Sequence, residues 1–462
     1  MQNSKLWRLF SVLRLEERRC FLDFVASPYF NRRSETLRLL EVLLPFQKEA
    51  PGKTFLFEKV FPGMPYNDHR LRQTMSFLSK LLLDFLAYET FKGDGVEKER
   101  LLGIALHKRR VADLGETVLA DAKALLYALP ARNVDFHECT YRLGLVSYRL
   151  AFDHVEPGAA VVQELSDQLD TAFLARKLWQ ACFLWSHQSV SNTAYHYGLL
   201  PQIMAFLEKN GLPEAPAIAT YYHCFKALSE PEEASHFERF LTIILEKNSA
   251  FPDEELRDLY VLALNFCIRQ NNAGNPAYHR AQFELYREGM AKGYFISEGY
   301  LPRTTYLNAV TSALVVGAYE WAEQFTDHYR SQLQTGYRQA LWRFNHARLA
   351  HARRNSGQAL ELLREVDVRD LMLQLAVKTL QIKIFYELGA FDLLESHLQA
   401  LHTFIRRKKE LGYHRNNYLN LIRLLRLRLE LPTLDRSAKK SWLAQVEATG
   451  ELAEREWLLA QT

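Results

Sequence analysis

Gly317-Ala318-Tyr319-Glu320-Trp321-Ala322 is echoed by Asn355-Ser356-Gly357-Gln358-Ala359 and again by Gly389-Ala390-Phe391-Asp392-Leu393-Leu394. In each, a glycine or polar turn ends one helix and a small or aliphatic residue opens the buried face of the next, which closes a tight hairpin. Ala322, Ala359 and Leu394 lie 37 and 35 residues apart. A second set of marks keeps step. Tyr306-Leu307-Asn308-Ala309, Arg343-Phe344-Asn345-His346 and Tyr418-Leu419-Asn420-Leu421 place Asn at intervals of 37 and 75 residues, the second about twice the first. A period in the mid-thirties is that of a two-helix unit stacked on copies of itself.

The rest of the chain agrees with a helical reading. Only 20 Gly and 15 Pro occur in 462 residues, while Leu, Ala, Arg, Glu and Gln recur at spacings of three and four. Hydrophobic residues at 48% and charged residues at 24% exclude a disordered chain and imply a full core. Charged residues from Lys5 to Arg19 break up the first twenty positions, so no signal-peptide stretch is expected. No run reaches the roughly 18 apolar residues of a membrane span, and the expectation is a cytoplasmic protein. Five cysteines, odd in number and at least 42 residues apart, suggest buried free thiols, with neither a disulfide framework nor a zinc knuckle.

Three regions are expected. Residues 1–95 form a helical N-terminal cap, with an opening amphipathic helix from Leu6 to Val25, a stop at Ser27-Pro28-Tyr29-Phe30-Asn31, and Asn31 or Ser34 capping the next helix. Residues 96–302 alternate helices with short breakers, as degenerate hairpin repeats. Residues 303–462 carry the clear repeats and basic C-terminal helices.

From Tyr306 to Leu431 the chain resembles the tetratricopeptide family, with a small residue or Gly at the hairpin turn, then an aromatic, then Ala three to five residues on. That resemblance implies an all-α fold, an α-solenoid of stacked antiparallel helical hairpins with a right-handed superhelix. It also implies a concave face lined by the first helices of successive hairpins. Ser27-Pro28-Tyr29-Phe30-Asn31 and Lys383-Ile384-Phe385-Tyr386-Glu387-Leu388-Gly389 also resemble an uncharacterised family of bacterial cytoplasmic proteins, a resemblance that implies no function.

Several residue groups invite a chemical reading, and each has a structural alternative. Pro51-Gly52-Lys53-Thr54 ends like a phosphate-binding loop, but Gln47 stands at the first glycine position and no strand precedes it, which makes it a helix start. The histidine pairs His187 and His196, His346 and His351, and His402 and His414 lack the four-residue spacing with an intervening Glu of a zinc hydrolase helix. His137-Glu138-Cys139 and His223-Cys224 have the residue types for thiol chemistry, which helical packing also explains. Ser437-Ala438-Lys439-Lys440 matches a serine–lysine spacing with no companion motif. No catalytic residue, metal or cofactor is expected.

The expectation is an interaction scaffold whose concave face takes a protein or peptide, acidic where it meets cations. The resemblance to tetratricopeptide arrays implies that Asn308, Asn345, Arg348, Lys383 and Asn420 would line that face. Their amides would bond a partner's backbone, their cations its carboxylates. The alternative for the three Asn residues is that they satisfy hydrogen bonds between helices.

The rival is a nucleic-acid-associated regulator. Residues 401–440 hold 11 Lys or Arg against three acids, so that window is +8 and the rest of the chain, at +4 overall, sums to −4. Arg406, Arg407, Lys408, Lys409, Arg423 and Arg426 would meet phosphates, with Tyr413 and Tyr418 available to stack bases. A second route runs through His69, Arg70, Arg72 and Gln73 near the N-terminus, on a helix whose remainder is apolar core.

Overall fold

The computed structural model describes the chain except for residues 153–157, 192, 247, 367–369, 409–410, 412–413, 432–435 and 462, and the side chains of residues 112, 189, 190, 248 and 414. Helix makes up 77% of it, no β-strand occurs among the described residues, and helices pack in neighbouring pairs. Two compact units result. One comprises residues 1–130 with 134–173, the other residues 131–133 with 174–462.

The first unit opens with α1 (Lys5–Phe10) and α2 (Leu15–Ala26) where the sequence suggested one continuous helix. The break has a local cause. Glu17 reaches back to accept from the Arg14 backbone N–H at 2.7 Å, the half of a capping box that fixes a new helix start. Arg18 donates to the Leu13 carbonyl (3.2 Å) and the Phe46 carbonyl (2.7 Å) and lies over the Phe10 ring, and is buried.

After α2, Asn31 stabilises the turn without capping α3 (Ser34–Leu43): its amide donates to the Val25 and Arg33 carbonyls and its oxygen accepts from the Arg33 N–H. Gly52 precedes α4 (Lys53–Val60), and Lys53 pairs with Asp68 at 2.9 Å, so the Gly-Lys-Thr stretch is a helix start. Then α5 (Asp68–Gly93), capped by Asn67, contacts α1, α2, α3 and α4 and is the spine of their core. Asp94 caps α6 (Gly95–Lys108), which packs with α7 (Ala112–Ala128) and α8 (Val134–Phe152) around Leu119, Leu143 and Leu150.

From Leu174 onward α9 (Ala159–Ser191) belongs to the second unit. There follow α10 (Leu200–Asn210), α11 (Pro216–Ser229), α12 (Ala234–Glu246), α13 (Asp253–Asn272) and α14 (His279–Ala291). The next four are α15 (Arg303–Val315), α16 (Tyr319–Tyr329), α17 (Arg338–Ala352) and α18 (Ser356–Arg364). The last are α19 (Leu371–Glu387), α20 (Phe391–Arg407), α21 (His414–Glu430), α22 (Arg436–Ala448) and α23 (Arg455–Leu459). Each helix from α11 to α20 pairs with its sequence neighbour, and the first helices of consecutive pairs also touch, α15 with α17 and α17 with α19.

The junctions inside three of these pairs are closed by the same two backbone bonds. After α15, Ala318 N–H bonds the Ala313 carbonyl and Gly317 N–H the Leu314 carbonyl. After α17, Asn355 bonds Ala350 and Arg354 bonds His351. After α19, Ala390 bonds Phe385 and Gly389 bonds Tyr386, all between 2.8 and 3.2 Å. This is the Schellman ending, which needs one residue in the left-handed region. Gly317 (φ 77°) and Gly389 (φ 68°) supply it freely, whereas the middle junction forces Arg354 to φ 63°. The following helices then bury Ala322, Ala359 and Leu394.

Candidate partner-binding face

Asn308, Asn345, Lys383 and Asn420 fall on α15, α17, α19 and α21, and the structure gives them different surroundings. Asn308 is exposed on α15. Asn345 is buried, its oxygen accepting from Arg348 at 3.3 Å. Arg348 reaches from α17 to α15, donating to the Leu307 carbonyl (3.2 Å) and the Thr311 hydroxyl (2.6 Å). Burial pulls its guanidinium down to about 10, with the Glu454 charge opposing the shift. Asn345 and Arg348 therefore tie two first helices together.

Further along, the face is covered by the chain's own last residues. Lys383 Nζ lies 2.8 Å from a Glu454 carboxylate oxygen and 5.5 Å from the centre of the Trp457 ring. Asn420 donates to the Glu451 carbonyl and Asn416 to the Glu451 carboxylate, both at 2.8 Å, while the Ala453 N–H meets the Asn417 carbonyl at 3.2 Å. Trp457 donates its indole N–H to Glu387 at 3.0 Å, and His351 meets the other oxygen of the same carboxylate at 2.9 Å. Burial pushes the Glu387 carboxyl up. The hydrogen bonds from Trp457 and His351 and the charges of His351 and Lys383 outweigh it and hold Glu387 below the usual carboxylate range.

The segment is set in place by Arg455. Its guanidinium bonds the carbonyls of Val446 (2.9 Å), Glu447 (2.8 Å), Thr449 and Gly450 (3.1 Å), taking up acceptors that the end of α22 leaves without helical partners. Glu454, just before it, holds a left-handed conformation (φ 57°, ψ 33°), and Leu458, three residues after it, is fully buried in the core cluster of the last helices. Sequence reading named Lys383 and Asn420 by their place in the repeat. It did not name their neighbours Glu387, Glu451, Glu454 and Trp457, although Glu451, Glu454 and Trp457 stand at three-residue intervals.

The basic helices are a separate surface. Arg406, Arg407, Lys408 and Arg423 are exposed, and among the described residues none has an ion-pair partner. Arg426, by contrast, pairs with Glu395 at 2.7 Å and bonds Gln399. Arg407 and Lys408 border a shallow cleft of about 610 Å³ that Lys378 and Phe404 also line. Tyr418, one of the two tyrosines considered for base stacking, is half-buried, and burial pushes its hydroxyl up to about 12. Lys409 and Tyr413 lie outside the described residues. In the first unit His69, Arg70, Arg72 and Gln73 are exposed, with Arg70 over the Phe61 ring and Arg72 paired to Asp68 at 2.6 Å.

Three of the remaining chemical candidates, Cys139, His187 and His346, have structural surroundings that account for them. Burial pushes the Cys139 thiol up, away from the thiolate a nucleophile needs. His187 bonds Ser191 and Tyr195, and His346 meets Asp327 at 3.0 Å. Among the described residues no group of three His, Cys, Asp or Glu side chains could hold a metal ion, and no helix is long and apolar enough to cross a membrane. Comparison with known protein families, curated proteins and solved structures finds no match to this chain.

Proposed function

We propose that this chain is a non-enzymatic interaction scaffold. Residues 303–462 are read as a tetratricopeptide-like, right-handed α-solenoid whose inner face binds a peptide or helix of a partner protein. The observation that carries the reading is that α15, α17 and α19 touch in succession and that Lys383 and Glu387 on α19 lie beside the backbone-bonding amide of Asn420. Charges that bond carboxylates and an amide that bonds a peptide carbonyl are the groups a peptide-recognition face requires.

The test is affinity capture by the tagged full-length chain, with nuclease and at two salt concentrations, run beside Lys383→Glu and an Arg406→Glu, Arg407→Glu double variant. Capture that survives nuclease and is lost only with Lys383→Glu supports the scaffold. Capture unaffected by Lys383→Glu counts against it.

A second reading, a nucleic-acid-associated regulator, is favoured by the exposed Arg406, Arg407, Lys408 and Arg423. It requires nucleic acid to be recovered at low salt, lost at high salt and lost in the double variant.

A further inference from the structure

We propose that the C-terminal segment, residues 449–461, is an internal stand-in for the ligand. The partner this face fits is accordingly a peptide with two carboxylates three residues apart, an indole three further on and a Leu directly after it. This rests on the scaffold reading above and names the chemistry of what the face takes.

Three observations converge on it. The first is division of labour. Carbonyl and amide groups of α21 hold the segment's backbone, through Asn417 to the Ala453 N–H and Asn420 to the Glu451 carbonyl, while side chains of α19 read its Glu454 and Trp457. Backbone bonds give affinity without sequence preference, and the side-chain sites add selection.

The second observation is charge complementarity with alternation. Lys383 faces Glu454, and Glu387, already bonded to His351, offers its other oxygen to the indole N–H. The Trp457 ring stands edge-on to Tyr386 at 5.4 Å between centroids and receives the Lys383 cation. Reversing either charge breaks the pairing, so the face discriminates by sign as well as shape.

The third is the way the segment is held. The side chains of Lys383 and Glu454 keep 20% and 36% of their exposure, so the pair is partly screened by solvent and adds only modestly to the hold on the segment. Glu454 sits in a backbone region that L-residues enter at a cost. Against these weak contacts stands Leu458, the one fully buried side chain of α23. Leu452, Ala453, Trp457 and Leu459 pack against the same cluster but stay partly exposed, and a segment with one fully buried side chain can be displaced by a ligand that repeats its chemistry. While tethered, it competes at an effective concentration on the order of millimolar.

The probe is a fluorescent synthetic peptide of residues 449–461, titrated by anisotropy into full-length wild type and into a full-length variant carrying Glu454→Lys, Trp457→Ala and Leu458→Ala. The opened variant is expected to bind the peptide at least tenfold more tightly than wild type. Adding Lys383→Glu is expected to abolish that binding, and a peptide with Lys at the Glu454 position to restore it.

Equal, weak binding by wild type and an opened variant that retains its helical signal and cooperative melt overturns the proposal. If the opened variant does not fold, hydrogen exchange on wild type decides. Release of amides 450–461 well before those of α19 and α21 supports displacement, and release only with global unfolding overturns it. A concentration-dependent dimer of the opened variant with wild type assigns the face to a second copy and also overturns it. Loss of a captured partner with Lys383→Glu, unaffected by excess peptide, removes this proposal while leaving the scaffold reading in place.

Discussion

The Nδ1 atoms of His223 on α11 and His236 on α12 lie 2.9 Å apart, so one imidazole donates and the other accepts, and both cannot be protonated while the bond persists. Burial, the neighbouring His236 and the Arg239 charge pull His223 from 6.5 down to about 4. The unfolded chain therefore binds a proton in the window between those values that the folded chain refuses. Stability is complete above about pH 6.5 and falls as pH drops toward 4. At pH 5 the loss from His223 is about 2 kcal/mol. Urea unfolding at pH 7.5 and pH 5 is expected to show this drop in wild type and a much smaller one in His223→Gln. An equal drop in both places the acid sensitivity elsewhere.

Arg354 is exposed and carries the strained position that glycine fills in the sister junctions. Arg354→Gly relieves a left-handed conformation at the cost of a more flexible unfolded chain, and the balance is a gain of about 0.5–1 kcal/mol. Gly389→Ala is the converse and is expected to lose about 1 kcal/mol. Thermal melts of the two variants should move in opposite directions, and a shared direction refutes the argument.

In the first unit, Arg18→Met keeps the bulk over Phe10 but leaves the Leu13 and Phe46 carbonyls without their donor. Burial lowers the Arg18 pKa, and the variant, which leaves two carbonyls without their donor, is expected to lose about 2 kcal/mol. Chemical denaturation followed by a probe in residues 1–130 reads this directly. A neutral result means water replaces the guanidinium.

Gly289 on α14 has no room for a side chain. A Cβ there runs into the Phe295 ring and comes within 3.2 Å of Tyr260. Gly289→Ala must displace the Phe295 ring and is expected to cost about 2 kcal/mol despite the better helix propensity of Ala. Combining it with Phe295→Leu should recover part of the loss. Failure to recover any points to the Tyr260 contact instead.

The helices and the hairpin junctions were legible because their signals are local. Gly317 and Gly389 announce left-handed turns, and Ala322, Ala359 and Leu394 keep the period. The split between α1 and α2 was not legible, since Arg14 is an uncommon residue to precede a helix and only Glu17 reaching back reveals the start. Lys383 and Asn420 could be named from their repeat positions. What they touch could not, because Glu454 is 71 residues from Lys383 and Glu451 is 31 from Asn420, distances at which no spacing rule operates. Arg348 was read as a cation for a partner, and its donors instead reach the Leu307 carbonyl and Thr311 on the adjoining first helix.

The junction after α17 closes with the same two main-chain bonds as those after α15 and α19, although Arg354 replaces the glycine. A joint made of main-chain groups places its demand on geometry and leaves the alphabet nearly free. Successive copies can then diverge in letters while keeping their angle. The rhythm of the turns, more than the identity of the residue at each, then carries the hairpin geometry from one pair to the next.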